Sequence, residues 1–169
     1  KAKRLGKISL NKPKSLINFF KKPFIYYQLQ LLKKKRFKKV IISTGHLSKQ
    51  IEKYIYLHKN EFDLKIILIE EKDKILDTGG GILNVINHFK NKPFIVVNPD
   101  TIWNTDYLKE LKKMEKEFFE NQAKCILLVA NKTRSFDKSL KGDFALFNKL
   151  ISRENNKNNL KYIYTGLQI

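Results

Sequence analysis

The sequence predicts an α/β fold in which a mostly parallel sheet carries helices on both faces and an antiparallel extension at one edge. Two observations indicate this fold. Up to residue 130, apolar runs of strand length alternate with longer segments of helical spacing, and the turns between them are short, as in parallel strands joined through helices. After Val129 the pattern changes to two shorter strand-like runs, 142–147 and 160–164, with no helix between them, which predict an antiparallel edge and a substrate-side extension.

The individual elements follow from proline, glycine and capping signals. Pro23 stands where a proline commonly opens a helix, and helical spacing continues from there to Lys35. Gly45 predicts a turn after the next strand, and Ser48 is the expected N-cap of the helix that follows. Strands are predicted at 38–43, 64–69, 93–98 and 125–130, and further helices at 82–89 and about 105–122.

Length and composition predict a single domain located in the cytoplasm. A chain of 169 residues, 42% of them hydrophobic, can bury a core. It has no apolar run of the roughly 18 residues that a membrane span needs. The single cysteine, Cys125, lies in an apolar run and is predicted to be a core residue of a protein in a reducing compartment.

The net charge of +19 is a first indication of an anionic partner. The excess is concentrated in the first third of the chain, where Glu52 is the only acid before Glu61. Arginine, which base readout and fork-like phosphate recognition favour, is scarce, and the lysine excess is typical of an AT-rich genome. Genome composition is thus the preferred explanation of the charge. A nucleic-acid-binding module is the alternative from another functional class. It would need exposed aromatic residues among the lysines, for which the candidates are Phe19–Phe20, Tyr26–Tyr27 and Phe37.

The stretch Leu76–Ile82, Leu-Asp-Thr-Gly-Gly-Gly-Ile, holds three of the seven glycines in the chain. It follows a predicted strand and precedes a predicted helix, so bare backbone N–H groups are expected at the positive end of a helix dipole. Without Cβ atoms, the backbone can approach a flat ring or a phosphate closely. A tight turn before a glycine-softened helix start is the alternative interpretation.

Ligands of open α/β sheets bind outside the carboxyl ends of the strands, where three groups of residues are expected: Ser43–His46, the glycine stretch and Asn98–Asp100. Asp100 directly follows an apolar strand and is a candidate magnesium ligand; an aspartate that merely starts a turn is the plainer alternative. Lys14, beside Pro13 in an irregular segment, is a candidate phosphate-binding residue.

Together these residues resemble the sugar-1-phosphate nucleotidyltransferases, a Rossmann-like family that makes nucleotide sugars from a nucleoside triphosphate and a sugar 1-phosphate. Arg4-Leu5 and Pro13-Lys14 stand at the spacing of two family motifs, and Val97–Asp100 matches its strand-terminal Gly-Asp. Asp77–Gly81 matches the base-recognition turn. The whole run Leu76–Ile82 is most similar to N-acetylmuramic acid 1-phosphate uridylyltransferases of cell-wall recycling, and relatives that handle heptose or mannose phosphates carry near variants.

The resemblance implies an Mg²⁺-dependent enzyme that forms a nucleotide sugar, expected to be a UDP-sugar, and pyrophosphate. Arg4 would hold the β- and γ-phosphates, Lys14 the α-phosphate and the attacking group, and Asp100 the Mg²⁺. The other nucleotide-binding residues would be Asp77, Thr78, Gly79 and Gly80, and the sugar-binding residues Asn98, Gly142, Thr165 and Gly166. The expected partners are the triphosphate and the sugar 1-phosphate, without nucleic acid or membrane.

The sequence departs from the family pattern in two ways, and the first, at Asn98–Asp100, leaves a catalytically inactive regulatory relative as a further alternative. Pro99 replaces the usual glycine before Asp100. The family's opening glycine loop and its second metal-binding aspartate have no counterpart in the sequence. We therefore expect a single nucleotidyltransferase domain, 1–169, that is truncated at both ends.

Overall fold

A computed structural model of the protein describes residues 11–71, 76, 78–153 and 160–169. Among these residues the chain divides into two compact units. The first lies within Lys1–Pro93 and Pro99–Glu110, and the second within Phe94–Asn98 and Leu111–Ile169. The expectation of a single domain stays a prediction. No helix in the described part of the chain is long and apolar enough to cross a membrane.

The first unit is built from helices around a parallel strand pair. A 3₁₀ turn, Lys14–Leu16, precedes the short antiparallel strands β1 (Asn18–Phe19) and β2 (Lys22–Pro23). The remaining elements are α1 (Phe24–Lys34), β3 (Lys39–Thr44), α2 (Ser48–Phe62), β4 (Lys65–Glu70), α3 (Thr78–Val85) and a 3₁₀ turn at Ile86–Phe89. β3 and β4 pair in parallel from Lys39↔Lys65 to Thr44↔Glu70, which confirms the strand–helix–strand unit predicted from the sequence.

The core of the first unit forms between α1, α2 and the 3₁₀ turn. Its buried residues are Leu16, Ile25, Leu29, Ile51, Ile55 and Phe62. Alternate residues of the strand pair pack against this cluster, Val40 and Ile42 from β3 and Ile66 and Leu68 from β4, because successive side chains of a strand point to opposite faces.

The second unit contains a three-stranded sheet in the order β5-β9-β6, formed by Val96–Val97, Tyr162–Gln168 and Leu127–Asn131. A 3₁₀ turn (Lys132–Arg134) and the antiparallel hairpin of β7 (Ala145–Phe147) and β8 (Leu150–Ser152) lie between β6 and β9 in the chain. α4 spans Tyr107–Glu120 and buries Leu111 and Met114.

The prediction of a mostly parallel sheet is confirmed only for β3 and β4. β9 pairs antiparallel with both β5 and β6. The sequence predicts only an edge or extension strand at 160–164. The observed strand, β9, extends to Gln168 and lies between β5 and β6. An antiparallel strand within the predicted run 142–147 is confirmed as β7, but its partner is β8 (Leu150–Ser152), a strand that the sequence did not predict.

Two local predictions are wrong. Ser48 is the first residue of α2 and not its N-cap: Leu47, with φ of 64°, precedes the helix, and the Ser48 hydroxyl instead donates a hydrogen bond to Glu70 Oε1 at the end of β4. Cys125 is exposed, because the strand begins two residues later, at Leu127.

The resemblance to the family implies a turn at Tyr164–Gly166, but these residues lie inside β9. The pairing between β6 and β9 shifts register between Leu127 and Val129. Gly166 has φ of +88°, a backbone conformation that glycine adopts readily. We infer that this glycine lets the strand bulge while it stays paired on both sides.

We predict that Gly166→Ala destabilises the protein by at least about 2 kcal/mol, because the positive φ is strained for alanine. In addition, the new Cβ would lie 2.8 Å from Asn98 Cβ. The control is Gly79→Ala, where no atom lies within 4 Å of the added Cβ; in a helix this change is expected to be neutral or to stabilise by up to about 1 kcal/mol. Urea unfolding followed by circular dichroism measures both, and equal losses would contradict the assigned role of Gly166.

Candidate functional site

Lys14 and Asp100, predicted separately, lie in direct contact in the first unit. Lys14 Nζ donates a hydrogen bond to Asp100 Oδ2 at 3.0 Å. The two side chains are 35% and 43% exposed, so both are accessible to a ligand. An exposed ion pair of this kind adds little stability. The pair therefore presents a cation for a phosphate and a carboxylate for a metal ion at one place on the surface.

The backbone on both sides of this pair is anchored. Lys14 begins a 3₁₀ turn in which Ile17 N donates to Lys14 O at 3.0 Å, and Leu16 of the same turn is buried in the core. On the Asp100 side, Gln28 Nε2, on α1, donates to the carbonyl of Thr101 at 3.2 Å. Helix α1 therefore supports the aspartate turn through Gln28 while it helps to form the core that holds the lysine turn.

The carboxylate of Asp100 fits one part of a magnesium site. The described residues contain no group of three or more His, Cys, Asp or Glu side chains placed to hold a metal. Proteins often hold Mg²⁺ through only one or two carboxylates, with substrate phosphates and water completing the octahedron. Asp100 can supply one such ligand, and a metal at Oδ2 would compete with the Lys14 ammonium for that oxygen.

The glycine stretch forms the first turn of a helix and not the turn before it. α3 begins at Thr78, four residues earlier than predicted, and includes all three glycines. Their φ values are not positive, so what matters here is their missing side chains. Gly79 is exposed, with open space where a Cβ would stand. The N–H groups of a first helical turn have no partner within the helix, so those of Thr78, Gly79 and Gly80 are donors that the helix itself leaves unused.

Glu71 is a residue of this region that the sequence analysis missed. Its Oε1 accepts a hydrogen bond from Ser43 Oγ at 2.8 Å, and its Oε2 accepts one from the backbone N–H of Leu76 at 2.8 Å. A Cβ on Gly81 would lie 3.4 Å from the same Oε1. The sequence offered one signal for Glu71: it is an acidic residue close behind a predicted strand. The same kind of position made Asp100 a candidate.

Three of the predicted sugar-binding residues lie together in the second unit. Asn98 N donates to Gly166 O at 2.8 Å, and the Cβ of Asn98 packs where a side chain of Gly166 would stand. The neighbouring Thr165 donates from Oγ1 to Leu128 O at 2.9 Å. This hydrogen bond joins β9 to β6 at the point where the pairing of the two strands shifts register.

Gly142, the fourth predicted sugar-binding residue, is linked to the same strand through its neighbour. Its φ is +84°, and a Cβ there would lie 2.2 Å from the carbonyl oxygen of Leu160, so only glycine fits. Asp143 N donates to Tyr162 O at 2.7 Å, and Asp143 Oδ2 accepts from Tyr164 N at 2.9 Å. Asp143 is thus a second polar residue that the sequence analysis missed.

Tyr164 adds a neutral hydroxyl to this strand. Its hydroxyl donates to Gln168 Oε1 at 3.0 Å. Burial, the largest cause, raises the pKa of Tyr164 to about 12. The phenol therefore stays protonated at neutral pH and remains a hydrogen-bond donor.

Two predicted residues, Arg4 and Asp77, lie outside the described residues. The remaining predicted residues fall into two sets. Lys14, Asp100 and Thr78–Gly80 belong to the first unit, while Asn98, Gly142, Thr165 and Gly166 belong to the second.

Comparison with known proteins gives a family. A family model described as "Nucleotidyl transferase" matches residues 1–136. The D-glycero-alpha-D-manno-heptose 1-phosphate guanylyltransferase of Campylobacter jejuni is 34% identical over 115 residues, covering 68% of this chain and 49% of that protein. The mannose-1-phosphate guanylyltransferase catalytic subunit beta of Danio rerio is 27% identical over 110 residues, covering 64% of this chain and 31% of that protein. The chain thus spans half or less of the length of these curated relatives.

Solved structures show the fold. The inositol-1-phosphate CTP transferase from T. maritima superposes with a TM-score of 0.76 at 16% identity, covering 99% of this chain and 65% of that one. An apo UDP-glucose pyrophosphorylase gives the same TM-score and identity, covering 99% of this chain and 71% of that one. The Rossmann-like α/β fold predicted from the sequence is therefore confirmed, although the described strands include only one parallel pair.

We predict that the contact between Lys14 and Asp100 contributes little to folding. A double-mutant cycle of Lys14→Ala and Asp100→Ala, measured by urea unfolding, is expected to give a coupling free energy below about 1 kcal/mol, falling with added salt. Leu16→Ala, two residues along the chain, is the control and should cost at least about 2 kcal/mol because it opens the core. A coupling of 3 kcal/mol or more would make the pair a structural one.

Proposed function

The chain belongs to the nucleotidyl transferase family, and from this premise we propose that the protein transfers a nucleotidyl group from a nucleoside triphosphate to a sugar 1-phosphate and releases pyrophosphate. The observation that carries the proposal is the accessible contact of Lys14 with Asp100 at 3.0 Å. It joins the two charges that such a reaction uses, one for phosphate and one for a metal ion. We place the reaction in the cytoplasm, the compartment expected from the sequence.

The chemistry explains why these charges are needed. A phosphate oxygen of the sugar 1-phosphate attacks the α-phosphorus, and the bond from that phosphorus to the oxygen bridging to the β-phosphate breaks. Both reactants are anions, so catalysis consists mainly of alignment and charge neutralisation. The ammonium of Lys14 would bind the α-phosphate and the attacking oxygen, and Arg4 would bind the β- and γ-phosphates.

The carboxylate of Asp100 would hold Mg²⁺ together with the phosphates of the substrate. A metal ion bound there offsets the negative charge that develops on the phosphates. The ammonium of Lys14 would exchange its contact with Asp100 Oδ2 for one with a substrate phosphate, its natural new partner. Pro99 does not prevent the contact between Lys14 and Asp100, so this departure leaves the two charges of the proposed mechanism together.

Uridylyl transfer to N-acetylmuramic acid 1-phosphate is the specific reaction that we favour, because the run Leu76–Ile82 is most similar to enzymes of that activity. The backbone of Thr78, Gly79 and Gly80 would meet the base, and the second unit's Asn98, Gly142, Thr165 and Gly166 the sugar. Guanylyl transfer is the second candidate, since the relatives reported above are guanylyltransferases acting on heptose or mannose 1-phosphate.

The nucleic-acid-binding alternative has a weak basis in the aromatic residues of the first third. Phe20 is 85% exposed and its neighbour Phe19 37%. Tyr26 packs against the buried Phe62, and the Tyr27 hydroxyl donates to Phe19 O. Only the β1–β2 hairpin thus offers an exposed stacking surface among the candidate aromatics, which is little for a single strand that stacks base after base.

Pyrophosphate release by the full-length protein tests the reaction. With Mg²⁺, a nucleoside triphosphate and a panel of sugar 1-phosphates, we expect release that depends on both substrates and on the metal. Lys14→Ala should lower kcat about 100-fold, the typical loss when one pre-organised charge contact of roughly 3 kcal/mol is removed. Lys12→Ala, which removes an exposed lysine two residues away, should retain wild-type turnover. Equal turnover in the two variants would remove Lys14 from the site.

The choice of base is tested by thermal-shift titrations of the full-length protein with the four nucleoside triphosphates, each with Mg²⁺ and with EDTA. We expect the largest shift with UTP, because a short helix start packed against a pyrimidine leaves no room for a purine. A larger shift with GTP would establish the guanylyl candidate, and one with ATP would contradict both.

A further inference from the structure

We propose that Glu71 is a positioning residue that fixes the start of α3, the segment proposed to bind the nucleotide. This inference rests on the proposed function. Each of its two carboxylate oxygens accepts one hydrogen bond, from Ser43 Oγ and from Leu76 N, both at 2.8 Å. One donor belongs to strand β3 and the other lies two residues before α3 begins. The carboxylate thus connects the end of the parallel strand pair to the chain entering the helix.

The backbone of Glu71 is itself held in place. Glu71 N donates to Thr44 O at 2.7 Å, which continues the pairing of β3 and β4 by one residue. The carboxylate therefore extends from a fixed point of the sheet. Ser43 lies on β3 and Glu71 directly follows β4, so the hydroxyl and the carboxylate approach each other at the end of the strand pair.

Helix α3 needs an anchor of this kind. Three of its first four residues are glycines, which disfavour a helix because of their conformational freedom. Only Val85, its last residue, is buried, so packing does little to fix its first turn. Among the described residues, the hydrogen bond from Leu76 N to Glu71 Oε2 connects the chain just before this turn to the end of the sheet.

The position of Lys14 and Asp100 does not depend on Glu71. The lysine turn is held by the buried Leu16, and the aspartate turn by the hydrogen bond from Gln28. A change at Glu71 should therefore weaken recognition of the nucleoside and leave the groups that act on the phosphates in place. This separates the role of Glu71 from that of a catalytic residue.

Hydrogen bonding, not charge, is what the positioning requires. A glutamine at 71 could accept from Leu76 N through its oxygen and donate from its amide nitrogen to Ser43 Oγ, since a serine hydroxyl also accepts. Glu71→Gln should therefore preserve the geometry, whereas Glu71→Ala removes both bonds. A metal ligand or a general base would be lost in both variants, because glutamine could replace neither function.

The experiment uses the full-length protein and two measurements, the steady-state parameters and the direct binding of the preferred nucleoside triphosphate by calorimetry without sugar phosphate. Glu71→Ala is expected to raise the triphosphate Kd and KM about tenfold, the usual scale for losing hydrogen bonds to a charged group. Its kcat should change less than about twofold, because the phosphate-binding groups stay in place. Glu71→Gln should bind within about twofold of wild type.

Glu70→Gln is the matched control. Glu70 is the neighbouring residue, it carries the same charge, and its carboxylate contacts Ser48 on α2 instead of the glycine helix. This variant should leave both Kd and kcat unchanged. Ser43→Ala removes one of the two hydrogen bonds and should weaken binding by less than Glu71→Ala; it serves as the test variant if Glu71→Ala fails to fold.

The outcomes separate this inference from the proposed function. A wild-type protein that binds no nucleoside triphosphate would overturn both. A wild type that binds and turns over, with Glu71→Ala unchanged, would overturn the role of Glu71 alone. Loss of activity in Glu71→Gln equal to that in Glu71→Ala would show that the charge acts directly and would also overturn the positioning role.

Discussion

Burial of Leu16 is the interaction on which the phosphate side of the candidate site depends. Leu16 packs into the core of the first unit with residues of α1 and α2, and complete burial of a leucine side chain is worth about 2–3 kcal/mol. Because Lys14 lies in the same 3₁₀ turn, the free energy that holds Leu16 also places the lysine backbone. The exposed ion pair then only orients the Lys14 side chain, because the backbone of Lys14 is already held by the core.

The nucleotide side is held by a different kind of interaction. In α3, glycines that each cost roughly 1 kcal/mol relative to alanine weaken the helix, and only Val85 is buried. Apolar packing at the start of this helix would need side chains, and side chains there would cover the backbone that is proposed to meet the base. Hydrogen bonds from Ser43 and Leu76 to Glu71 fix the chain from outside the turn and leave the turn itself bare.

The sequence predicted the elements with strong periodicity well: α1, β3 and β4 lie within two residues of their expected bounds, and α2 begins within one residue of its expected start. It also identified Lys14 and Asp100, but not that they touch, because a contact between residues 86 positions apart depends on the tertiary fold. Glu71 was missed since its role depends on two donors from separate parts of the chain. The bulge in β9 was missed because glycine in an apolar run indicates a turn as readily as an irregular strand.

The glycines illustrate why the residue type alone does not reveal its role. Gly142 and Gly166 have positive φ, and a Cβ would collide with Leu160 or Asn98, so the fold itself requires glycine there. Gly79 has neither a positive φ nor a close neighbour, so the described residues give no structural reason for glycine at that position. A glycine where an alanine would fit, in a helix that alanine would strengthen, is what the proposed contact of a base with this backbone requires. The open side of α3 is thus consistent with the proposal that the first turn meets the flat ring of the base.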